Sequence, residues 1–192
     1  MRELTTRSGR RPSQNAEELF GFIDLLRFRG VSSYLEVGAR HGDTFDTVMR
    51  SLPVGSRGVA VDLGGGAWGT PRSVPALRDA VRALKADGYD ARLVLGDSTK
   101  ARIISTVEKV GPFGGVLIDG DHRYEGVKAD WLAYGGMGEV VAFHDIVGDG
   151  QMDRLKNLIE VPRLWSELKA GHETIEFVAE GSRMGIGTVI RA

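Results

Sequence analysis

The chain has 192 residues, of which 25 are Lys or Arg and 26 are Asp or Glu, so its formal net charge at pH 7 is −1. This length suits one domain and leaves no room for a second catalytic one. Near-neutrality excludes a net field that would attract nucleic acid or an anionic membrane, and the absence of cysteine excludes disulfides, thiolate metal sites and cysteine nucleophiles.

The N-terminus is polar and basic, with Arg7, Arg10 and Arg11 set among Ser, Pro and Gln residues. We interpret residues 1–14 as a flexible arm and residues 15–192 as a single domain. No apolar run approaches the roughly 18 residues of a spanning helix, and no signal-peptide core is present. We therefore expect a cytoplasmic protein without a membrane or nucleic-acid partner. The sequence does not decide between a monomer and a homo-oligomer.

Helical and strand patterns alternate along the chain. Apolar residues from Leu19 to Phe28 recur at helical spacing and Gly30 follows, which predicts a first helix over residues 15–29. Short apolar runs predict five buried strands, over residues 34–37, 58–61, 91–95, 115–118 and 140–143. The best-supported helices between them cover residues 75–86, 99–110 and 124–132. This alternation is typical of a parallel sheet with crossover helices.

The pattern changes after Asp149. One broken helix is predicted through Leu168, interrupted by Pro162, and two strands follow over residues 173–178 and 185–190, with a hairpin turn at 179–182. The predicted fold class is therefore a doubly wound α/β domain. Its seven-stranded, mostly parallel sheet would end in an antiparallel hairpin.

Each of the five buried strands has an acidic residue at or just after its carboxyl end. These residues are Glu36, Asp62, Asp97, Asp119 and Asp145. Ligands of open α/β sheets bind beyond the carboxyl ends of the strands, near the point where strand order reverses. Helix capping explains one or two such residues, but a set of five favours a ligand site lined with carboxylates.

The loop after the first strand contains Gly38 and Gly42, which favour a tight turn that a ligand can approach closely. The dinucleotide fingerprint is absent because Arg40 stands two residues after Gly38, and no Gly-Lys-Ser/Thr phosphate loop is present. The negative charges of a pyrophosphate would be repelled by these carboxylates. The sulfonium and ammonium of S-adenosylmethionine suit them, which favours that cofactor.

From about residue 34 to 190 the chain resembles class I S-adenosylmethionine-dependent methyltransferases. The first group of matching motifs is Glu36-x-Gly38-x-x-x-Gly42, the strand-end Asp62, and Gly96-Asp97-Ser98. A second, longer block is similar to small-molecule O-methyltransferases related to those of macrolide-sugar and cephalosporin pathways. It comprises Ile118-Asp119-Gly120-Asp121-His122-x-Tyr124, Val127, Asp130, Gly135-Gly136 and Phe143-His144-Asp145.

The resemblance implies roles for the site residues. The cofactor residues it implies are Glu36, Gly38 and Gly42 for the methionine part, Asp62 for the ribose, Asp97 and Ser98 for the adenine, and Asp119 nearest the transferred methyl. Several relatives bind magnesium through counterparts of Asp119 and of an acidic pair after the fifth strand. This chain has His144-Asp145 there, so the predicted ligands of Mg²⁺ or another divalent ion are Asp119, Asp145 and His144.

Two histidines, His122 and His144, are candidate general bases beside Asp119, since an imidazole accepts a proton near neutral pH. Either one could instead only cap a helix or bond to a neighbouring loop. The functional prediction is methyl transfer to a small-molecule acceptor, with a hydroxyl favoured over nitrogen. Two alternatives stay open: an inactive S-adenosylmethionine- or nucleotide-binding protein of the same fold, and an NAD-dependent oxidoreductase.

Overall fold

Seven strands form one sheet in the computed structural model, which describes residues 9, 11–65, 69–148, 150–152, 156 and 158–191. The strands are β1 (Ser33–Val37), β2 (Arg57–Asp62), β3 (Asp90–Leu95), β4 (Phe113–Ile118), β5 (Gly138–His144), β6 (Glu173–Phe177) and β7 (Ile186–Ile190). Their order across the sheet is β3-β2-β1-β4-β5-β7-β6. The first five strands are parallel and β7 pairs antiparallel with both β5 and β6, so the predicted fold class is confirmed.

The described residues also form six helices. They are α1 (Ala16–Phe28), α2 (Asp43–Ser51), α3 (Ser73–Ala86), α4 (Ala101–Glu108), α5 (Tyr124–Tyr134) and α6 (Val161–Lys169), with a 3-10 turn at Gly135–Met137. Asn15 caps α1, its side chain accepting a hydrogen bond from the Glu17 backbone amide. The predicted first helix and hairpin are confirmed, while the domain boundary after residue 14 stays a prediction.

The predicted broken helix through Leu168 is wrong in its first half. Among the described residues of 150–160, Met152 and Leu158 pair in an isolated β-bridge. The helix α6 begins only at Val161. Residues 149, 153–155 and 157 of that prediction lie outside the described residues. Pro162 lies in the first turn of α6, where its missing amide hydrogen would have no partner in any helix, so it starts the helix instead of interrupting it.

The sheet is buried on both faces because its side chains alternate. In β1, Tyr34 belongs to the cluster that includes Leu19 and Phe22 of α1, whereas Leu35 and Val37 belong to the cluster on the other face. Strand order reverses between β1 and β4, which places the crevice of the fold at their carboxyl ends. Glu36 and Asp119 are therefore brought to the same edge.

Gly38 lies where the loop after β1 passes the loop after β4. Its φ is +94°, and a Cβ atom there would lie 2.1 Å from the carbonyl oxygen of Asp119. Gly55, on an exposed turn, has a similar φ of +92° but has nothing within 4 Å of the corresponding position. Both glycines therefore have a positive φ, but only Gly38 lacks space for a Cβ atom.

We predict that Gly38→Ala lowers the free energy of unfolding far more than Gly55→Ala. Both changes place a side chain in the left-handed region, at a cost of about 1–2 kcal/mol. Only Gly38→Ala also forces two loops apart, which we expect to raise its total to about 4 kcal/mol or more. Urea denaturation measures both, and equal losses would contradict the close packing of these loops.

Candidate active site

A cavity of about 840 Å³ opens at the carboxyl ends of the parallel strands. All five strand-end carboxylates line it, together with Gly38, Ser98, His122 and His144. Gly42 is not among the described residues that line this cavity. It is the N-cap of α2, and a Cβ atom there would contact Leu77 and Ala80 of α3, so its conformation shapes the loop from behind.

Glu36 is buried at the end of β1, and its Oε2 accepts a hydrogen bond of 2.7 Å from the hydroxyl of Tyr34. Burial raises the pKa of Glu36 to about 8, although the Tyr34 hydrogen bond acts in the opposite direction. The nearby charges of Asp119, Asp62 and Asp43 raise the pKa further. Glu36 is therefore largely protonated at neutral pH until a positive charge arrives beside it.

Asp62 is oriented by backbone amides at the end of β2. Its Oδ2 accepts from the Arg40 amide at 2.7 Å, and its Oδ1 accepts from the Gly64 amide at 2.7 Å. Arg40 takes a φ of +47° to make this contact. Each carboxylate oxygen keeps a further lone pair for a ligand hydroxyl.

The loop after β3 is ordered by its own hydrogen bonds. The Oδ1 atom of Asp97 accepts from the Thr99 amide at 3.0 Å and from the Thr99 hydroxyl at 2.7 Å, and these bonds hold the pKa of Asp97 below its usual value. The hydroxyl of Ser98 donates to Oδ1 of Asp130 at 2.6 Å. Burial raises the pKa of Asp130 to about 6, against the effect of that hydrogen bond.

Two carboxylates and two imidazoles meet at the centre of the cavity. Oδ1 of Asp119 lies 3.4 Å from Nε2 of His122 and 3.3 Å from Nδ1 of His144. On the other side, Asp145 places Oδ2 3.1 Å from Nδ1 of His122 and Oδ1 3.4 Å from Nδ1 of His144. Asp145 has a φ of +61°, an uncommon conformation for a residue other than glycine that turns the chain out of β5 at this point.

The four groups stabilise one another's charged forms. Burial lowers the pKa of His122, but the hydrogen bonds and charges of Asp119 and Asp145 outweigh burial and raise it to about 10. The pKa of His144 is raised as well, since Asp119 and Asp145 outweigh its burial and the charge of His122. Burial alone would raise the pKa of Asp119, yet the two imidazoles hold it well below its usual value. The two carboxylates therefore favour the protonated forms of both imidazoles.

Gln14 is a site residue that the sequence did not indicate. Its Nε2 donates to Oδ2 of Asp119 at 2.8 Å, and its Oε1 accepts from the Thr44 hydroxyl at 2.5 Å. The side chain is buried, although the sequence places it at the end of a predicted arm. A glutamine in a polar segment carries no signal of such a contact, because its partner Asp119 is 105 positions away.

Three aromatic residues near the site serve packing. The Tyr124 hydroxyl donates to the carboxylate of Glu167 at 2.8 Å, which ties α5 to α6. Trp131 and Trp165 both pack against Phe143, with ring centroids 5.7 and 6.1 Å apart. These contacts leave the cavity walls to aliphatic and polar side chains.

The two remaining histidines lie apart from the central four groups. His41 lines the cavity at its β1 side, where its Nε2 lies 3.2 Å from the Ser73 hydroxyl. His172 has its Nδ1 3.0 Å from the Leu168 carbonyl oxygen and stacks edge-on against Trp131. The first is placed to contact a ligand, and the second is structural.

The predicted metal ligands Asp119, Asp145 and His144 do come together. Within the described part of the chain, however, no group of three or more His, Asp or Glu side chains has the arrangement of a metal site. His122 lies between the two carboxylates, with its Nε2 3.4 Å from Asp119 and its Nδ1 3.1 Å from Asp145, and its charge takes the position that a cation would need. The residues present fit an ion-pair network better than a divalent ion, and the ion stays a prediction.

No helix in the described residues is long and apolar enough to cross a membrane. No protein-family model matches the chain, and no curated protein matches its sequence. Solved structures do match. An O-methyltransferase from Bacillus cereus in complex with SAH is 16% identical, with a TM-score of 0.66, and the match covers 94% of this chain and 84% of that one.

Two further structures give similar values. The O-methyltransferase TomG from Streptomyces achromogenes, involved in tomaymycin synthesis and solved with SAM, is 16% identical with a TM-score of 0.66, covering 94% and 82% of the two chains. Cofactor-bound Rv0187 from MTB is 18% identical with a TM-score of 0.69, covering 95% and 83%. The chain therefore has the Rossmann-like fold of the class I methyltransferases.

We predict that Gln14→Ala lowers the free energy of unfolding by about 1.5–3 kcal/mol, the usual scale for a hydrogen bond to a charged group. Gln14→Glu should cost more, because it brings a second carboxylate against Asp119 in a buried position. Urea denaturation at pH 7 measures both variants. Wild-type stability of Gln14→Glu would show that this side chain does not contact Asp119 in solution.

Proposed function

We propose that the protein transfers a methyl group from S-adenosylmethionine to a hydroxyl group of a small-molecule acceptor. The observation that carries this proposal is the acidic cavity at the reversal point of the sheet, where Glu36 is buried and Asp119, whose side chain is 14% exposed, lies beside two histidines. The match to O-methyltransferases solved with SAM or SAH supports it.

The cavity residues fit this cofactor. Glu36 would hold its ammonium group, because a buried carboxyl with a raised pKa gains most from a cationic partner. Asp62 would accept hydrogen bonds from the ribose hydroxyls, and Asp97 and Ser98 would lie against the adenine. When bound, the cofactor supplies a methyl group activated by positive sulfur, and the thioether product leaves without a proton.

The chain then has to hold the acceptor in line, exclude water and remove the hydroxyl proton. His122 and His144 are the candidate bases, and both line the cavity. In the cofactor-free protein the pKa of His122, raised to about 10, keeps His122 protonated at neutral pH, and Asp119 and Asp145 raise the pKa of His144 as well. A positive charge beside Asp119 weakens the hold of this carboxylate on the imidazoles, so one imidazole can lose its proton and later accept the one from the hydroxyl. Asp145 would stabilise the imidazolium that forms again.

A divalent ion is not needed for this scheme. The predicted ligand set of Asp119, Asp145 and His144 would have to release His122 before it could close around Mg²⁺, which prefers oxygen ligands. We keep the ion as a separate hypothesis, and no step of the proposed reaction depends on it.

Calorimetry with S-adenosylmethionine, S-adenosylhomocysteine and NAD, each with and without magnesium, tests the proposal. We expect both sulfur compounds to bind and NAD not to bind. Formation of S-adenosylhomocysteine with a set of hydroxylated compounds then tests turnover, in chelator and with magnesium. Preferential binding of NAD would favour an oxidoreductase, and cofactor binding without turnover of any acceptor would favour an inactive binding protein.

We predict that Asp62→Ala weakens S-adenosylhomocysteine binding about 10- to 150-fold, because the ribose hydroxyls lose charged acceptors. Asp62→Asn, which keeps one acceptor oxygen for the loop amides, should lose less. Asp79→Ala is the matched control, since Asp79 is exposed on α3 and pairs only with Arg82 among the ion pairs described. An unchanged dissociation constant for Asp62→Ala would refute this role.

The raised pKa of Glu36 predicts that cofactor binding releases protons. At pH 7 Glu36 is mostly protonated, and a cationic ligand would ionise it, so nearly one proton should leave. Above about pH 8 the carboxyl is already ionised and this release should disappear. Calorimetry in buffers of different ionisation enthalpy measures the number of protons.

Glu36→Gln is the control for this measurement, because it removes the titrating group and keeps the shape. The release at pH 7 should fall by the amount that Glu36 contributes, while any protons from His122 or the cofactor remain. The same release in wild type and Glu36→Gln would show that Glu36 does not meet the cationic end of the ligand.

A further inference from the structure

One side of the cavity is apolar. Four aliphatic or thioether side chains line it, and we call them the apolar wall: Met152, Leu158, Ile159 and Met184. Met152 is 65% exposed and Leu158 is 45% exposed, and because the two are paired in a bridge they form a joint apolar patch. Two such side chains facing a cavity that also contains the histidines indicate a surface that a ligand covers.

The apolar wall is fixed beside the candidate bases. Glu160, the residue after Ile159, donates its amide to the carbonyl oxygen of His122 at 2.8 Å. Ile159 itself donates to the Gln151 carbonyl oxygen at 2.8 Å, and Met152 pairs with Leu158 in a bridge. Ile159 and Glu160 are therefore fixed next to the loop that carries His122.

The hairpin loop supplies the last member of the wall. Val147, two residues after Asp145, donates its amide to the Met184 carbonyl oxygen at 2.9 Å. Gln151 also reaches this loop, because its side chain donates to the Arg183 carbonyl oxygen. The hairpin loop is thus bonded both to the loop that follows β5, which carries Asp145, and to Gln151, the neighbour of Met152.

Charge is distributed unevenly around the cavity. Glu36, Asp62 and Asp97 follow β1, β2 and β3, on the side predicted for the cofactor. Arg123, which also lines the cavity, has its guanidinium 3.0 Å from Oδ1 of Asp121. Arg40 is tied to Asp62 on the cofactor side through its backbone. The apolar wall itself contributes no charged side chain.

We propose that the acceptor is an uncharged molecule with an apolar aromatic or alicyclic body, which packs on the apolar wall and points its hydroxyl at His122 and His144. This proposal rests on the proposed function and specifies its substrate class. A phosphorylated or ionised acceptor would lose hydration against Met152 and Leu158 without gaining a charge partner there. The two methionines are flexible and polarisable, so the wall can adapt to bodies of different shape.

Binding of matched probes to the full chain saturated with S-adenosylhomocysteine tests the proposal. The probes are 2-naphthol, 2-naphthyl phosphate and 2-naphthyl glucoside, followed by naphthalene fluorescence. We expect 2-naphthol to bind at least about tenfold more tightly than either derivative, a difference of about 1.4 kcal/mol. Equal or tighter binding of the phosphate, or no binding of 2-naphthol at millimolar concentration, would overturn the proposal.

Variants locate the binding site. The double variant Met152→Gln, Leu158→Gln replaces apolar side chains by polar ones of comparable size and should weaken 2-naphthol binding about tenfold or more while leaving the affinity for S-adenosylhomocysteine unchanged. Leu132→Gln is the control, because Leu132 is 73% exposed on α5 and is not among the residues that line the cavity. Wild-type binding of 2-naphthol by the double variant would overturn the proposal. Failure of S-adenosylhomocysteine itself to bind would instead refute the proposed function.

Discussion

A carboxylate that is largely shielded from water needs compensating charges and hydrogen bonds, and the site is arranged around this requirement at Asp119, whose side chain is 14% exposed. One oxygen faces His122 and His144, and the other accepts from Gln14. These partners come from the loop after β4, from the end of β5 and from the segment before α1. The contacts of Asp119 thus join three parts of the chain that are distant in sequence. The same contacts hold the two candidate bases in place.

A second buried carboxylate positions the opposite wall of the cavity. Glu18 of α1 accepts from the Ala179 amide at 3.1 Å and from the Gly185 amide at 3.2 Å, and so holds both ends of the hairpin loop. Met184 lies in that loop and is bonded to Val147 beyond β5. The first helix therefore supports the hairpin loop that carries Met184. Gln14, the residue before the cap of this helix, contacts Asp119 beside the candidate bases.

The sequence was sufficient for features governed by local periodicity. Apolar runs of four or five residues located β1 to β5, and the rule for strand ends brought Glu36, Asp62 and Asp119 to one cavity. Contacts between distant side chains were not predictable in this way, and Gln14 is the clearest case. The prediction of a helix before α6 was also wrong. Pro162 is compatible with a helix interruption and with a helix start, and only the preceding turn decides between them.

The charge balance of the site bears on the order of events in the proposed reaction. In the cofactor-free protein Asp119 and Asp145 raise the pKa of His122 to about 10 and raise the pKa of His144 as well, which disfavours either imidazole as a base for a hydroxyl proton. An acceptor that entered first would find the protonated His122 beside its hydroxyl and no donor methyl. Only a positive charge delivered to Asp119 shifts this balance and frees an imidazole to act as base. The same network that stabilises the empty site therefore favours binding of the cofactor before the acceptor.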